Sequence, residues 1–145
     1  MLGGASVFNS TVDTDLCNHI YQYNITSQTW NLTSPSSPIK PNARLWTSSV
    51  IYNDGLNTFL LISGGLVNQS LITISGSSIP LSNEIWKFDL LNLYWSLVPF
   101  NLSSQGVAGH ASGINYPVLY TFGKFYLYYG YFLYSFSFFL FSFFI

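Results

Sequence analysis

The chain has 145 residues, of which 49% are hydrophobic, 19% aromatic and only 6% charged, whereas soluble domains carry about 25% charged residues. Four Lys and Arg residues against five Asp and Glu residues give a formal net charge of −1. These few basic residues cannot neutralise a nucleic-acid backbone, so nucleic-acid binding is excluded. A single cysteine and two histidines exclude an internal disulfide and a cysteine-rich zinc site, and we expect no cofactor.

Short apolar runs, separated by clusters of Gly, Asn, Ser and Pro, predict an all-β fold for residues 1–123. The runs are rich in β-branched and aromatic residues, as strands are. The predicted strands are 19–24, 29–33, 45–52, 58–63, 84–89, 94–99, 111–115 and 118–122. We further predict that the four central strands, from 45–52 to 94–99, form one antiparallel sheet in the order in which they occur.

Turn residues support this order of strands. The sequence Asn53-Asp54-Gly55 lies between two apolar runs and predicts a hairpin. Residues 34–41 contain three prolines, which the middle of a sheet does not tolerate. The segment 34–41 is therefore predicted to connect two separate β-units.

The chain also contains an internal repeat, in which a Gly-Gly pair is followed by an aromatic strand and then by a tryptophan. In both complete copies the aromatic residue precedes the tryptophan by nine residues, and the two tryptophans are 65 residues apart. In a third, shorter copy, residues 119–123 match residues 60–64. The motif residues are Gly3, Gly4, Tyr21 and Trp30 in the first copy, Gly64, Gly65, Trp86, Asp89 and Trp95 in the second, and Gly123 in the third. At the Gly-Gly pairs we expect positive φ or an approach too close for a Cβ atom.

These residues resemble the kelch repeat, the unit of one family of β-propellers. The resemblance covers residues 2–123 and implies one complete four-stranded blade, 44–99, between parts of two others, 1–34 and 107–123. Two features depart from the family pattern. Only Arg44 supplies the arginine that often precedes the first strand, and the repeat exceeds the roughly 50 residues usual for kelch because of an insertion at 66–82. Since propellers have four to eight blades, the resemblance implies a fragment of a larger propeller.

Residues 124–145 form a low-complexity aromatic tail. Residues 125–145 contain 13 aromatic residues and no charge. One interpretation is a translation artefact, such as a frame shift after Gly123, because nearly every residue is Phe, Tyr, Leu or Ser. A second is a membrane anchor, since about 20 uncharged residues span a bilayer as a helix. A buried strand is the third.

Five Asn-x-Ser/Thr sequons are candidate N-glycosylation sites. They begin at Asn9, Asn24, Asn31, Asn68 and Asn101. They favour a secreted or membrane-associated protein on the extracellular side. The alternative is a cytoplasmic protein with accidental sequons, because no signal peptide precedes Gly3.

The residues do not combine into a catalytic centre, and we expect a protein that is not an enzyme. His110 lies at the start of a predicted strand and is interpreted as a structural residue. Cys17 and His19 leave open an alternative, a fragment of a secreted copper enzyme similar to galactose oxidase, although such a site needs two Tyr and two His ligands from several blades.

The sequence therefore favours a binding function. The loops 5–18 and 66–82 each follow a Gly-Gly pair and so are expected at the same end of neighbouring blades. The resemblance implies a non-catalytic kelch module that contacts a protein or a carbohydrate through these loops. A membrane-anchored extracellular kelch protein, held by residues 125–145, is a further alternative.

Overall fold

The computed structural model describes residues 19–67, 81–102, 106–115 and 117–122, and the backbone of residues 124–128 and 131–135. All the regular secondary structure in these ranges is β-strand, which confirms the predicted all-β class. The strands are β1 (Ile20–Asn24), β2 (Thr29–Thr33), β3 (Ser48–Asn53), β4 (Thr58–Ser63), β5 (Glu84–Asp89), β6 (Tyr94–Asn101), β7 (Ala111–Asn115), β8 (Val118–Phe122), β9 (Lys124–Tyr128) and β10 (Tyr131–Ser135).

Strands β3 to β6 form one four-stranded antiparallel sheet in the order β3-β4-β5-β6. This is the predicted meander of the central strands. Neighbouring strands are consecutive in the chain, and short turns join β3 to β4 and β5 to β6. In the first of these turns the side chains of Asn53 and Asp54 accept backbone hydrogen bonds. The connection from β4 to β5 is the exception, and its ends lie side by side where Leu66 forms a β-bridge with Leu81.

Three predicted boundaries of the central sheet are wrong, one of them by a single residue, since the first strand ends at Asn53 rather than at residue 52. The first strand begins at Ser48 rather than at residue 45, because Trp46 has φ +53°, a left-handed conformation that a strand cannot contain. Leu45 instead forms an isolated bridge with Leu66. The last strand continues past Pro99 to Asn101, since β6 is an edge strand, where a proline need not donate to a partner.

A separate β-hairpin packs on each face of the central sheet. On one face, Ile20 of the β1–β2 hairpin joins a buried cluster with Trp86, Phe88 and Trp95. On the other face, Leu119 of the β7–β8 hairpin packs into a second buried cluster around Tyr52. The sheet is thus apolar on both sides, and β7 lies against β3. The result is three β-layers in chain order.

The tail begins as a third hairpin, in which β9 pairs with β10 in antiparallel register. Leu127 lies opposite Phe132 in this pair. Within the described residues, no helix is long and apolar enough to cross a membrane.

Several predicted features lie outside the described residues. They are the loop 5–18, most of the loop 66–82, the residues Gly3, Gly4, Asn9, Cys17, Asn68 and Gly123, and the tail beyond Ser135.

Candidate functional site

The Gly64-Gly65 pair, here called the glycine elbow, ends β4 at one end of the central sheet. Gly64 has φ +62° and Gly65 has φ +101°, values that a residue with a side chain adopts only under strain. A Cβ on Gly64 would overlap the carbonyl oxygen of Val107, and one on Gly65 would lie 2.9 Å from the carbonyl oxygen of Leu45. Both expectations for this pair, positive φ and close approach, are met.

Backbone hydrogen bonds tie the glycine elbow to three residues in two other segments. The amide of Gly64 donates to the carbonyl of Glu84 (3.0 Å), and the amide of Gly65 donates to the carbonyl of Val107 (2.7 Å). The carbonyl of Gly65 accepts from the amide of Ser82 (2.8 Å). The elbow thus links the end of β4 to the approaches of β5 and β7.

Arg44 also holds the glycine elbow and the start of β5 together. We call the glycine elbow and the residues bonded to it the junction. Its side chain is 2% exposed, and it pairs with the partly exposed Glu84, whose side chain is 38% exposed (Nη2 to Oε2, 3.1 Å). Its Nη1 donates to the carbonyl of Gly64 (2.9 Å) and its Nε to the carbonyl of Asn42 (3.0 Å). The planar guanidinium therefore clamps the elbow to the first residue of β5.

Burial and hydrogen bonding shift the pKa values of this ion pair in opposite directions. Burial lowers the pKa of Arg44, and Glu84 partly offsets that effect. Burial would raise the pKa of Glu84, but hydrogen bonds from Trp86 Nε1 (2.9 Å) and from Arg44 outweigh it and hold the pKa below its ordinary value. The carboxylate thus stays ionised at neutral pH, and the pair is a structural clamp.

His110 closes the junction on the side of β7. Its Nε2 and the hydroxyl of Ser63 lie 2.8 Å apart and share a hydrogen bond, and Ser63 Oγ is also 3.2 Å from Ser112 Oγ. Its buried Nδ1 has no hydrogen-bond partner among the described residues. Burial lowers the pKa of His110 to about 4. A serine and a histidine are thus paired, and both are buried.

The aromatic residues of the second repeat copy lie in a buried cluster of the sheet, whereas those of the first copy lie in the β1–β2 hairpin. Trp86 and Trp95 meet edge to face with ring centroids 6.4 Å apart, and Trp95 is fully buried. The corresponding Trp30 is exposed and packs against Tyr23 at 5.0 Å. Tyr21 lies in the same hairpin, with its ring against His19.

Asp89 belongs to the opposite end of the sheet. Its Oδ1 accepts hydrogen bonds from the amides of Leu91 (2.8 Å) and Asn92 (2.9 Å). These bonds lower the pKa of the Asp89 carboxyl. Asp89 therefore stabilises the β5–β6 turn.

The described sequon asparagines, Asn24, Asn31 and Asn101, are all exposed. Asn24 lies at the end of β1, where its Oδ1 accepts hydrogen bonds from the amides of Thr26 (2.9 Å) and Ser27 (3.0 Å). Its Nδ2, the atom that a glycan would modify, is not needed for this turn.

The described residues contain no group of three or more His, Cys, Asp or Glu side chains that could hold a metal ion. His19 is exposed, and Cys17 lies outside the described residues.

The sequence did not single out Ser63, Ser82 and Glu84 as members of the junction. Each lies next to the glycine elbow or next to an aromatic strand in the chain, but their partners are Arg44 and His110, which lie 38 to 47 residues away. No short sequence motif indicates which residues pair across such distances along the chain.

The chain was also compared with known proteins. No protein-family model matches it, and none of the curated proteins is significantly similar to it.

Proposed function

We propose that this chain is part of a kelch-type β-propeller and acts as a non-catalytic binding module. The proposal is supported by the central sheet, a four-stranded antiparallel meander of the kind from which propeller blades are built. The hairpins on its two faces correspond to the flanking partial blades, 1–34 and 107–123. The repeat motif residues supply both the buried aromatic cluster and the turns of that sheet.

The observation that carries the binding function is the anchoring of the loop 66–82. The loop leaves the glycine elbow and returns to it, with Leu66 bridged to Leu81 and also to Leu45. Arg44, which pairs with Glu84, also donates to the carbonyl of Gly64 at the elbow and to the hydroxyl of Ser82 at the end of the loop. A sheet whose loop ends are held by these contacts can present a long loop without needing that loop for its own stability, as binding loops require.

The partner that we propose is a protein or a carbohydrate, contacted through the loops 5–18 and 66–82. With few charged residues in the chain, recognition would depend on hydrogen bonds and apolar contacts. We also propose a secreted or membrane-associated location, because three of the sequon asparagines are exposed.

A loop replacement tests this function. Replacing residues 68–80 by four Gly-Ser residues keeps Leu66 and Leu81 and should leave the sheet folded. We expect the variant to lose capture of proteins from an extracellular extract, or binding to an array of neutral oligosaccharides. The matched control is Leu56→Ser, at the exposed β3–β4 turn at the other end of the sheet, which should bind as the original chain does.

Equal binding by the loop variant and the original chain would contradict the proposal. Stoichiometric copper in the purified protein, lost in His19→Ala, would favour the copper-enzyme alternative instead.

A further inference from the structure

Trp46 has a strained backbone and an exposed side chain at the end of the central sheet that carries the glycine elbow. Its φ is +53°, a left-handed conformation that is an outlier for a bulky residue and costs free energy. Two other described residues with a side chain, Gln28 and Leu93, also have positive φ, but both lie in hairpin turns. Trp46 instead lies between the bridge residue Leu45 and the start of β3, and its side chain is 44% exposed.

The repeat shows which residue this backbone position suits. The β7–β8 hairpin corresponds to β3–β4, and an offset of 63 residues superposes Ala111 on Ser48, the first residues of β7 and β3. The same offset superposes Gly109 on Trp46, and Gly109 has φ +61°. Glycine adopts this conformation without strain. The chain therefore holds a tryptophan where the equivalent position has glycine.

Backbone hydrogen bonds hold Trp46 in this conformation from both sides. Leu45 and Leu66 exchange two amide-to-carbonyl bonds (2.9 and 2.8 Å) directly before it. The carbonyl of Trp46 itself accepts from the amide of Gly109 (2.8 Å). A strained conformation persists where the surrounding structure fixes it in this way, and such residues cluster at ligand sites. A backbone that is fixed beforehand also loses little freedom when a ligand binds to its side chain.

The surroundings of Trp46 favour a neutral ligand rich in hydroxyl groups. An indole ring offers a flat apolar face, which fits the C–H face of a pyranose ring. Arg44, two residues earlier, is buried and paired with Glu84, so it presents no charge to such a ligand. The residues that follow, 47–49, are Thr and Ser and do not extend the apolar surface that the core of a protein interface needs.

We propose that Trp46 is a binding residue that stacks on a sugar ring of a neutral oligosaccharide. The strained backbone is the consequence of placing an indole where the fold suits glycine. Because Leu45 bridges Leu66, the indole projects from the place where the loop 66–82 begins. This inference rests on the proposed binding function, which uses the same end of the sheet, and it names a carbohydrate as the ligand.

Binding of the full chain to an array of neutral oligosaccharides, followed by calorimetric titration with the one bound best, tests this role. We expect Trp46→Ala to weaken binding by about tenfold or more, as the loss of a tryptophan anchor does. Trp46→Phe should keep part of the affinity, since a phenyl ring also offers an apolar face. Trp30→Ala is the matched control, because Trp30 is also exposed but lies within β2, and it should bind as the original chain does.

Trp46→Gly separates the strain from the loss of the ring. Trp46→Gly and Trp46→Ala both remove the indole, but only glycine relieves the positive φ. Trp46→Gly should therefore bind as weakly as Trp46→Ala and unfold at a higher temperature, as followed by circular dichroism. Equal unfolding temperatures of these two variants would mean that the position is not strained, and would overturn the proposal.

Three binding results would also overturn it: no oligosaccharide bound by the original chain, equal binding by Trp46→Ala, or an equal loss in Trp30→Ala. Capture of proteins through the loop 66–82 without oligosaccharide binding would overturn this inference and leave the proposed binding function intact. Oligosaccharide binding that is lost in Trp46→Ala but kept by the loop replacement would support the inference and contradict the proposed role of the loop.

Discussion

Gly64 is the residue whose conformation leaves least room for substitution. Its φ is +62°, and a Cβ there would overlap the Val107 carbonyl oxygen and lie 2.8 Å from the His110 ring. We expect Gly64→Ala to lower the free energy of unfolding by about 2 kcal/mol or more, since strain in this region costs about 1–3 kcal/mol before any clash. Urea unfolding followed by tryptophan fluorescence measures the change.

Gly113→Ala is the control for this substitution, because a Cβ there meets nothing within 4 Å. Its effect should stay below about 1 kcal/mol. Equal effects of the two substitutions would show that the glycine elbow is not sterically constrained.

His110 predicts a dependence of stability on pH. Burial lowers its pKa from 6.5 to about 4, so the unfolded chain binds the proton more readily than the folded protein does. The contribution of neutral His110 is complete above pH 6.5 and is lost as the pH falls towards 4. Between pH 7 and pH 5 the free energy of unfolding should fall by about 2 kcal/mol through this residue.

Comparing the original chain with His110→Gln isolates this effect. The glutamine variant should be less stable at pH 7, but its stability should vary less between pH 7 and pH 5. The same pH dependence in both proteins would assign it to other groups.

At the residue scale, the sequence predicted the glycine elbow but not its partners. Two adjacent glycines at the end of an apolar run indicate a backbone that needs positive φ. Nothing local indicates that Arg44 pairs with Glu84, 40 residues away, or that Ser63 pairs with His110, 47 residues away. Such pairs exist only after the strands have met.

At the scale of the elements, the clamp between Arg44 and Glu84 holds two strands and the loop between them. Arg44→Met would remove the 2.9 Å donor to the carbonyl of Gly64 and the ion-pair partner of the Glu84 carboxylate, which would keep its hydrogen bond from Trp86 Nε1. We expect a loss of about 2 kcal/mol, below the 3–5 kcal/mol typical of a broken buried pair, because Glu84 is partly exposed. Thermal unfolding followed by circular dichroism measures it.

Glu84→Gln is the matched control for the clamp. Its amide oxygen can still accept from Arg44 and from Trp86 Nε1, so the loss should be about half as large or less. In the double variant the two losses should not add, since both act on one contact. Full additivity would mean that the ion pair contributes nothing.

Strand positions were predictable because each strand is short, apolar and bounded by turn residues. The bounds of β2, β4, β5, β7 and β8 agree with the prediction. The wrong bounds lie where tertiary contacts determine the backbone conformation. Tryptophan is common in strands, but Trp46 has a φ of +53°, so β3 begins only at Ser48. Leu45 forms an isolated bridge with Leu66 instead.

At the scale of the whole molecule, the two flanking hairpins are attached to the central sheet by different clusters. Ile20 is the contribution of β1 to the cluster around Phe88 and Trp95, while Leu119 is that of β8 to the cluster around Tyr52 and Phe59. The two clusters lie on opposite faces and share no residue. Each hairpin should therefore be separable from the sheet without the other.

We expect Ile20→Lys to detach the β1–β2 hairpin and to expose Trp95, which is otherwise fully buried. A lysine amine cannot remain in an apolar cluster without a partner, so tryptophan emission should shift to longer wavelength. Leu119→Lys should detach the β7–β8 hairpin with little change in that emission, because no tryptophan belongs to its cluster.

Hydrogen exchange on the same two variants distinguishes separate docking from general unfolding. In Leu119→Lys the amides of β7 and β8 should lose protection, while those of β4 and β5 in the middle of the central sheet keep most of theirs, because both remain paired on both sides. In Ile20→Lys the loss should be confined to β1 and β2. Loss of protection in all strands of either variant would mean that the three layers form one cooperative unit, in which the central sheet is not stable without both of its covers.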